Sequence, residues 1–306
     1  MIVTVTGNPA LDITYTLDQL RLGESHRVER YDVRAGGKGI NVASVLRRCG
    51  YEAAATGPLG GATGQVIAAD LRARGIDPGP FVSFDGESRR TVNLLTGGAA
   101  TMLNEAGPVV DPAAWDALER RVGELLTGPG PAVLVLAGSL PRQAPADTYA
   151  RLLRAAGPDT VTIVDTSGPA LGRACQERPT LVKPNRAELA ETTGRDDPLL
   201  GARELRRRGA EHVIVTDGPR GFILVPADGP PIRARLTTLL AGNPTGAGDA
   251  LAAALASTAF DGLDMLAAVR RAAAWSAAAV LQPLAGEVDP LKATELLPHV
   301  VLEEIA

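Results

Sequence analysis

Lysine is nearly missing from this 306-residue chain: of its 31 basic residues only Lys38, Lys183 and Lys292 are lysine, and the other 28 are arginine. Arginine therefore serves for ordinary surface charge. A lysine in "GGKG" or "VKPN" asks for a reason, because a compact ammonium meets a phosphate in a tight space differently from a planar guanidinium. Cysteine is as scarce: Cys49 and Cys175 stand far apart without CxxC spacing, and His26, His212 and His299 are scattered, so neither a disulfide framework nor a zinc site is indicated. Aromatics make up 3% of the residues, which leaves an aliphatic, finely packed core. No charge of one sign dominates. A formal net charge of −4 with acids and bases interspersed argues against nucleic acid or an anionic membrane as partner. Nowhere do the roughly 18 uninterrupted apolar residues of a membrane span occur, and "MIVTVTGNPALD" opens without a leader, so a soluble, cytoplasmic protein is expected. GxxxxGK[ST] is absent, which excludes a P-loop kinase. Internal repeats, low-complexity tails and long linkers are absent too.

What is present is alternation. Short β-branched runs exchange with amphipathic, alanine- and arginine-rich segments, the order of βαβ units around a parallel sheet covered on both faces. Strands are expected at 2–6, 53–57, 132–138, 160–166, 180–184 and 212–218. Helices are expected at 39–49, 63–74, 112–126, 145–156, 186–193, 199–208, 247–259 and 263–281, with Asp111 capping the helix that Pro112 begins. Residues 12–35 and 86–105 break the rhythm, alternating in strand fashion with no helix between. They are expected to pair as a small sheet outside the main one, a lid over a site or a pair of surface hairpins. The remainder, 1–11, 36–85 and 106–306, forms the α/β domain.

Four glycine- or lysine-bearing turns could carry chemistry. In "NPTGAGDA" (243–250), Gly246, Ala247 and Gly248 leave amides open at the start of a helix, an anion hole in waiting. Asp249 falls in the first turn, where it either caps the helix or takes a proton from a hydroxyl attacking the bound anion. "GGKGIN" (36–41) offers close backbone approach at Gly36 and Gly37, a cation in Lys38 and an amide in Asn41, suited to a phosphate or polyol and equally common as plain structure. "VKPNRAEL" (182–189) has capping-box spacing between Asn185 and Glu188, which leaves Lys183 unexplained. "TDGPRG" (216–221) is a hairpin or the floor of a nucleotide site. Asp165, Lys183, Asn185, Thr216, Gly218, Gly138 and Ser139 all fall at carboxyl ends of expected strands, where open α/β sheets bind ligands.

These stretches, with "NPALD" (8–12), "AGGKGIN" (35–41), "NEAGP" (104–108), "AGSLP" (137–141) and "DTSG" (165–168), resemble the ribokinase-like (PfkB) sugar kinases over nearly the whole chain. Within them the resemblance is to the branch of 1-phosphofructokinases and tagatose-6-phosphate kinases. It implies a doubly wound, mainly parallel sheet with helices on both faces and a small β-sheet lid. It implies Asp249 as the catalytic base, with Gly246, Ala247 and Gly248 donating to the transferred phosphoryl group. Asp12, Gly36, Gly37, Lys38, Asn41 and Ser139 would hold the sugar, and Arg89 would join Lys38 on the phosphate the substrate already carries. Lys183, Asn185, Thr216, Asp217, Gly218, Pro219, Arg220, Gly221 and Asn243 would line the ATP site, and Asn185 with Glu188 would position Mg²⁺ through water. The lid also implies a homodimer. The chain departs from the family's usual pattern at Thr91, at His26 and at Thr216-Asp217. The activity implied is ATP-dependent phosphorylation of the 6-hydroxyl of D-fructose 1-phosphate. Tagatose 6-phosphate, an unphosphorylated sugar or a nucleoside are alternative substrates, and a non-catalytic sugar-phosphate-binding regulator is the reading from another class.

Overall fold

Successive residues of a strand face opposite ways, and the strand Val133–Ala137 divides its side chains between two apolar cores accordingly. Val133, Val135 and Ala137 join one core with helices Lys38–Arg48, Ala247–Phe260 and Met265–Val280. Leu134 and Leu136 join the other with helices Pro112–Leu126, Thr148–Ala155, Gly168–Cys175 and Pro198–Arg207. Helices thus cover both faces of one sheet, which is the α/β architecture expected. The computed structural model describes residues 1–96, 99–238 and 240–305; Gly97 and Gly98 of the expected lid and Leu239 and Ala306 of the expected α/β domain lie outside the described residues.

The main sheet runs in the order Val300–Glu304, Ile232–Leu236, Phe222–Val225, His212–Thr216, Leu181–Val182, Val161–Asp165, Val133–Ala137, Ile2–Thr6, Ala53–Thr56. From His212–Thr216 to Ala53–Thr56 the pairing is parallel, and the strands before them are antiparallel. Two of those antiparallel strands, Ile232–Leu236 and Val300–Glu304, lie outside the expected elements, as do helices Gly168–Cys175 and Pro290–Leu296. The strand expected at 180–184 contracts to Leu181–Val182, because Pro184 has no amide to place in the ladder; its carbonyl still accepts from Thr216 N–H at 3.1 Å. Asp111 caps its helix as expected, accepting from Ala114 N–H at 2.8 Å.

A smaller sheet has the order Arg30–Gly36, Ala10–Leu17, Arg89–Thr96, Ala99–Asn104. It joins the two stretches that broke the sequence rhythm, with Asp12 beside Arg34 on one side and Thr91 on the other. Helix Ala247–Phe260 carries seven alanines and buries every residue from Asp249 to Thr258. Side chains that short let it lie close against Met265–Val280 and against the sheet.

Candidate active site

The parallel strands end side by side, and their order brings Thr6, Ser139, Asp165, Lys183 and Thr216 to one edge of the sheet. A cleft of about 410 Å³ opens there beneath the smaller sheet. Its wall includes Asp12, Gly37, Lys38, Asn41, Arg89, Ser139, Lys183, Asn185, Glu188, Thr216, Gly246, Gly248 and Asp249, residues drawn from both ends and the middle of the chain. A second cleft of about 630 Å³ adjoins it, lined by Thr216, Gly218, Pro219, Gly221, Ala247 and Gly248 and by apolar groups such as Phe222, Leu240, Ala277 and Val280. Asn185, Thr216 and Gly248 belong to both. One compartment is polar and charged, the other suits a flat ring, and they meet where the helix Ala247–Phe260 begins.

Asp249 is not a cap. That helix has no side-chain cap, and the carboxylate, 6% exposed, instead accepts from Asn41 Nδ2 at 2.8 Å through Oδ2. Burial raises its pKa to about 6, with the nearby Lys38 ammonium opposing the shift. Gly246 starts the helix at φ +86°, the left-handed region, and a Cβ there would stand 2.8 Å from Ala285 Cα, so glycine is required twice over. The amide hole differs in detail from the expectation. Ala247 N–H is already given to the Pro244 carbonyl at 3.2 Å and Asp249 N–H to the Gly246 carbonyl at 3.1 Å. Among the described residues the amides of Gly246 and Gly248 make no such bond, and these are the open donors.

Asp165, fully buried, lies between the two lysines. Lys38 Nζ donates to its Oδ1 at 2.9 Å, and Lys183 Nζ lies 2.9 Å from its Oδ2 as an ion pair outside hydrogen-bond geometry. Burial pushes the Asp165 pKa up, but the two ammoniums prevail and hold it below the usual carboxylate range. Lys38 also donates to Glu188 Oε1 at 3.3 Å; burial opposes its charge, yet the carboxylates of Asp165, Glu188 and Asp249 hold its pKa above the ordinary value. The lysines of "GGKG" and "VKPN" thus converge on one buried carboxylate.

Asp12 lies across the cleft, its pKa raised to about 6 by burial against the opposing pull of Arg89. Gly36 lies under that carboxylate, where any Cβ would run into it. Arg89 donates through Nε to the Asn8 carbonyl at 3.1 Å and through Nη1 to the Glu105 carbonyl at 3.2 Å. Asn185 and Glu188 form the capping box: Glu188 N–H gives to Asn185 Oδ1 at 2.9 Å and Asn185 N–H to Glu188 Oε2 at 2.8 Å, which leaves Glu188 Oε1 facing Lys38.

Four expected residues, Gly36, Asp217, Arg220 and Asn243, are not brought to either cleft wall. Arg220 and Asp217 pair with each other at 2.8 Å at the surface, and Asp217 also meets Arg186. Asn243 ties its loop to the segment after helix Met265–Val280, donating through Nδ2 to the Pro283 carbonyl at 2.9 Å and accepting from Thr245 N–H at 3.0 Å. Conversely Asn8, Asn104, Thr245 and Ala285 line the first cleft without having been singled out, although Asn8 and Asn104 belong to the "NPALD" and "NEAGP" stretches. Asn8 Oδ1 is buried without a partner, an acceptor waiting for a donor.

Residues 5–292 match the family described as pfkB family carbohydrate kinase. The chain is 35% identical over 297 residues to the 1-phosphofructokinase of Rhodobacter capsulatus, covering 94% of this chain and 92% of that one. Against the 1-phosphofructokinase of Bacillus subtilis it is 35% identical over 231 residues, 73% and 74% of the two. Its fold superposes on phosphofructokinase-2 of Escherichia coli solved with fructose 6-phosphate at a TM-score of 0.87, with 27% identity over 97% of this chain and 98% of that one. With a match of that extent laid over a buried carboxylate, two charge-clamped lysines and an open helix start, the chain belongs to the pfkB family of carbohydrate kinases, phosphotransferases that take an alcohol group as acceptor.

Proposed function

We propose that this chain transfers the γ-phosphoryl group of ATP to the 6-hydroxyl of D-fructose 1-phosphate in the cytoplasm, giving fructose 1,6-bisphosphate and ADP. The observation that carries this reading is Asp249, buried, uncapped and aimed into the seam where the two clefts share Gly248. A phosphosugar occupies the polar cleft. Asp12, Gly37, Asn41 and the unpartnered Asn8 address its hydroxyls, while Lys38 and Arg89 meet the 1-phosphate. ATP occupies the second cleft with its ring among the apolar groups and its phosphates toward Lys183 and Gly248. The 1-phosphofructokinase relatives support the choice of sugar, as do two cations beside the acceptor that a neutral sugar would not need.

The chemistry follows from placement. Asp249 takes the proton of the 6-hydroxyl as that oxygen bonds to the γ-phosphorus, the bond from phosphorus to the bridging oxygen breaks, and ADP leaves. The open Gly246 and Gly248 amides and the positive helix end receive the charge on the transferring oxygens. The strand pair Arg89–Thr96 and Ala10–Leu17 serves as a lid that excludes water and so prevents futile ATP hydrolysis. In this reading 12–35 and 86–105 constitute the lid and the remainder the catalytic body. Exposed Tyr31, Val33, Met102 and Leu103 on the small sheet support a homodimer formed through it.

Mg²⁺ fits the residues present. Among the described residues no cluster of three His, Cys, Asp or Glu could hold a metal, and Glu188 lines the first cleft with its Oε1 turned to Lys38 at 3.3 Å. Such a site suits an ion that keeps its waters and leans on substrate phosphates. Asn185 and Glu188 would hold it through water, and it would neutralise phosphate charge.

A coupled ADP-release assay across fructose 1-phosphate, tagatose 6-phosphate, fructose 6-phosphate and fructose tests the reading. The highest kcat/KM is expected for fructose 1-phosphate; preference for the unphosphorylated hexose, or binding without turnover on every sugar, overturns it.

A further inference from the structure

On the far end of the helix that carries Lys38 and Asn41, a separate cavity of about 230 Å³ is walled by four guanidiniums, Arg34, Arg47, Arg48 and Arg74, with Ser44 and Ile76. They come from three elements: the strand Arg30–Gly36, the helix Lys38–Arg48 and the residue that closes helix Gly61–Ala73. None of the catalytic groups lines it.

The charges there do not balance. Glu287 Oε1 faces Arg34 Nη1 at 3.3 Å and Arg48 Nη2 at 3.1 Å, and Asp70 Oδ2 faces Arg74 Nη1 at 3.3 Å. Two carboxylates thus serve four guanidiniums. Arg34 Nη1 is shut off from solvent and lacks hydrogen-bond geometry even to Glu287. Arg47 forms no ion pair among the described residues and lies over Gly75, whose missing side chain makes room for it. Like charges this near each other repel, and the Arg74 pKa is lowered by burial and then by the charges of Arg34 and Arg48. Arginines gathered this way around a hollow, rather than splayed into solvent, offer planar forks to tetrahedral oxyanions. Arg47 and Arg48 stand at its exposed mouth, so the cavity is reachable.

We infer that this arginine-walled cavity is a second anion site, distinct from the catalytic cleft, that takes a multiply charged phosphoryl group of the size of pyrophosphate. The oxyanion supplies the negative charge the two carboxylates leave wanting, and Glu287 competes with it for Arg34 and Arg48. The inference does not depend on which sugar the catalytic cleft accepts.

Calorimetric titration with pyrophosphate at fixed ionic strength tests it in four proteins: wild type, Arg47→Gln/Arg48→Gln, Glu287→Gln and Lys38→Met. The wild type is expected to show a binding event that the double arginine variant weakens by about tenfold or more, the loss of two charge-assisted contacts. Glu287→Gln, by removing the internal competitor, should tighten the same event, and Lys38→Met should leave it in place while removing any binding in the catalytic cleft. Circular dichroism confirms that each variant is folded. If the arginine pair changes nothing, or if Lys38→Met abolishes all pyrophosphate binding, the second site does not exist.

Discussion

Asn41 Nδ2 donates to Asp249 Oδ2 across 2.8 Å, joining the first turn of one helix to the first turn of another. The amide fixes the carboxylate's orientation and occupies one of its oxygens, which leaves the other for the acceptor hydroxyl. It also lowers the Asp249 pKa against the larger upward effect of burial.

Replacing the base should therefore separate chemistry from binding. Asp249→Asn is expected to lower kcat by about 10²–10⁴-fold, the range of general acid–base contributions, with the KM for sugar little changed. Steady-state kinetics decide it; an equal loss in both parameters would remove Asp249 from the role of base.

With an Asp249 pKa of about 6, kcat/KM should fall as pH drops below that value, because the protonated acid cannot accept a proton. Asn41→Leu removes a hydrogen bond that favours the ionised form, so the acid limb should move to higher pH. Asp12 also titrates at about 6, and Asp12→Asn separates the two by leaving the limb in place.

The same raised pKa has a stability consequence. Between the ordinary aspartate value and about 6 the unfolded chain has released this proton while the folded chain still holds it, so stability falls as pH rises through that window and stays at the lower level above it. Asp249→Asn should therefore stabilise the fold near neutral pH by on the order of 1–3 kcal/mol. The gain should vanish in acid, where the carboxyl is protonated in both states. Thermal unfolding at neutral and acid pH measures the difference.

Asp165 is the counter-charge of Lys38 and Lys183 at once. Asp165→Ala leaves the buried Lys183 ammonium unpaired and Lys38 with Glu188 alone, for which a loss of about 3–5 kcal/mol is expected in denaturant unfolding. Replacing all three by Leu, Met and Met should recover much of that stability and none of the activity.

Glu188 serves the helix and the cleft, and glutamine distinguishes the two. Gln at the third helical position still completes a capping box, so Glu188→Gln should keep the Tm. The Mg²⁺ concentration needed for half-maximal rate should rise, since the charged oxygen facing Lys38 is gone. A fall in Tm with an unchanged Mg²⁺ requirement would reduce Glu188 to a cap.

Much of this was legible in the linear chain. Apolar β-branched runs such as 133–137 declare strands covered on both faces, and glycine turns at strand ends place the site without any structure. What stayed hidden did so for physical reasons. "IRARL" reads as polar because two of its residues are arginine, yet Ala234 is fully buried and the strand is paired on both sides, with Phe222–Val225 and with Val300–Glu304. Helix Gly168–Cys175 starts on Gly-Pro, the signature of a turn. Ala273, Ala277 and Val280 line the second cleft, but small apolar residues on a helix look like core wherever they point. That Asp165 holds two lysines is a fact of strand order, visible only once the sheet is assembled.

The alanine helix behind Asp249 has a dynamic consequence. Eight of its fourteen residues, seven alanines and Gly248, own no χ angle, so between the sheet and Met265–Val280 there are few alternative rotamers to sample and little side-chain entropy to release. Fluctuation of the base relative to the sugar is thereby restricted to whole-helix displacement. A flexible leucine or methionine at Ala252 or Ala253 would convert this stiff mount into a loose one, degrading turnover without touching any group that meets the substrate.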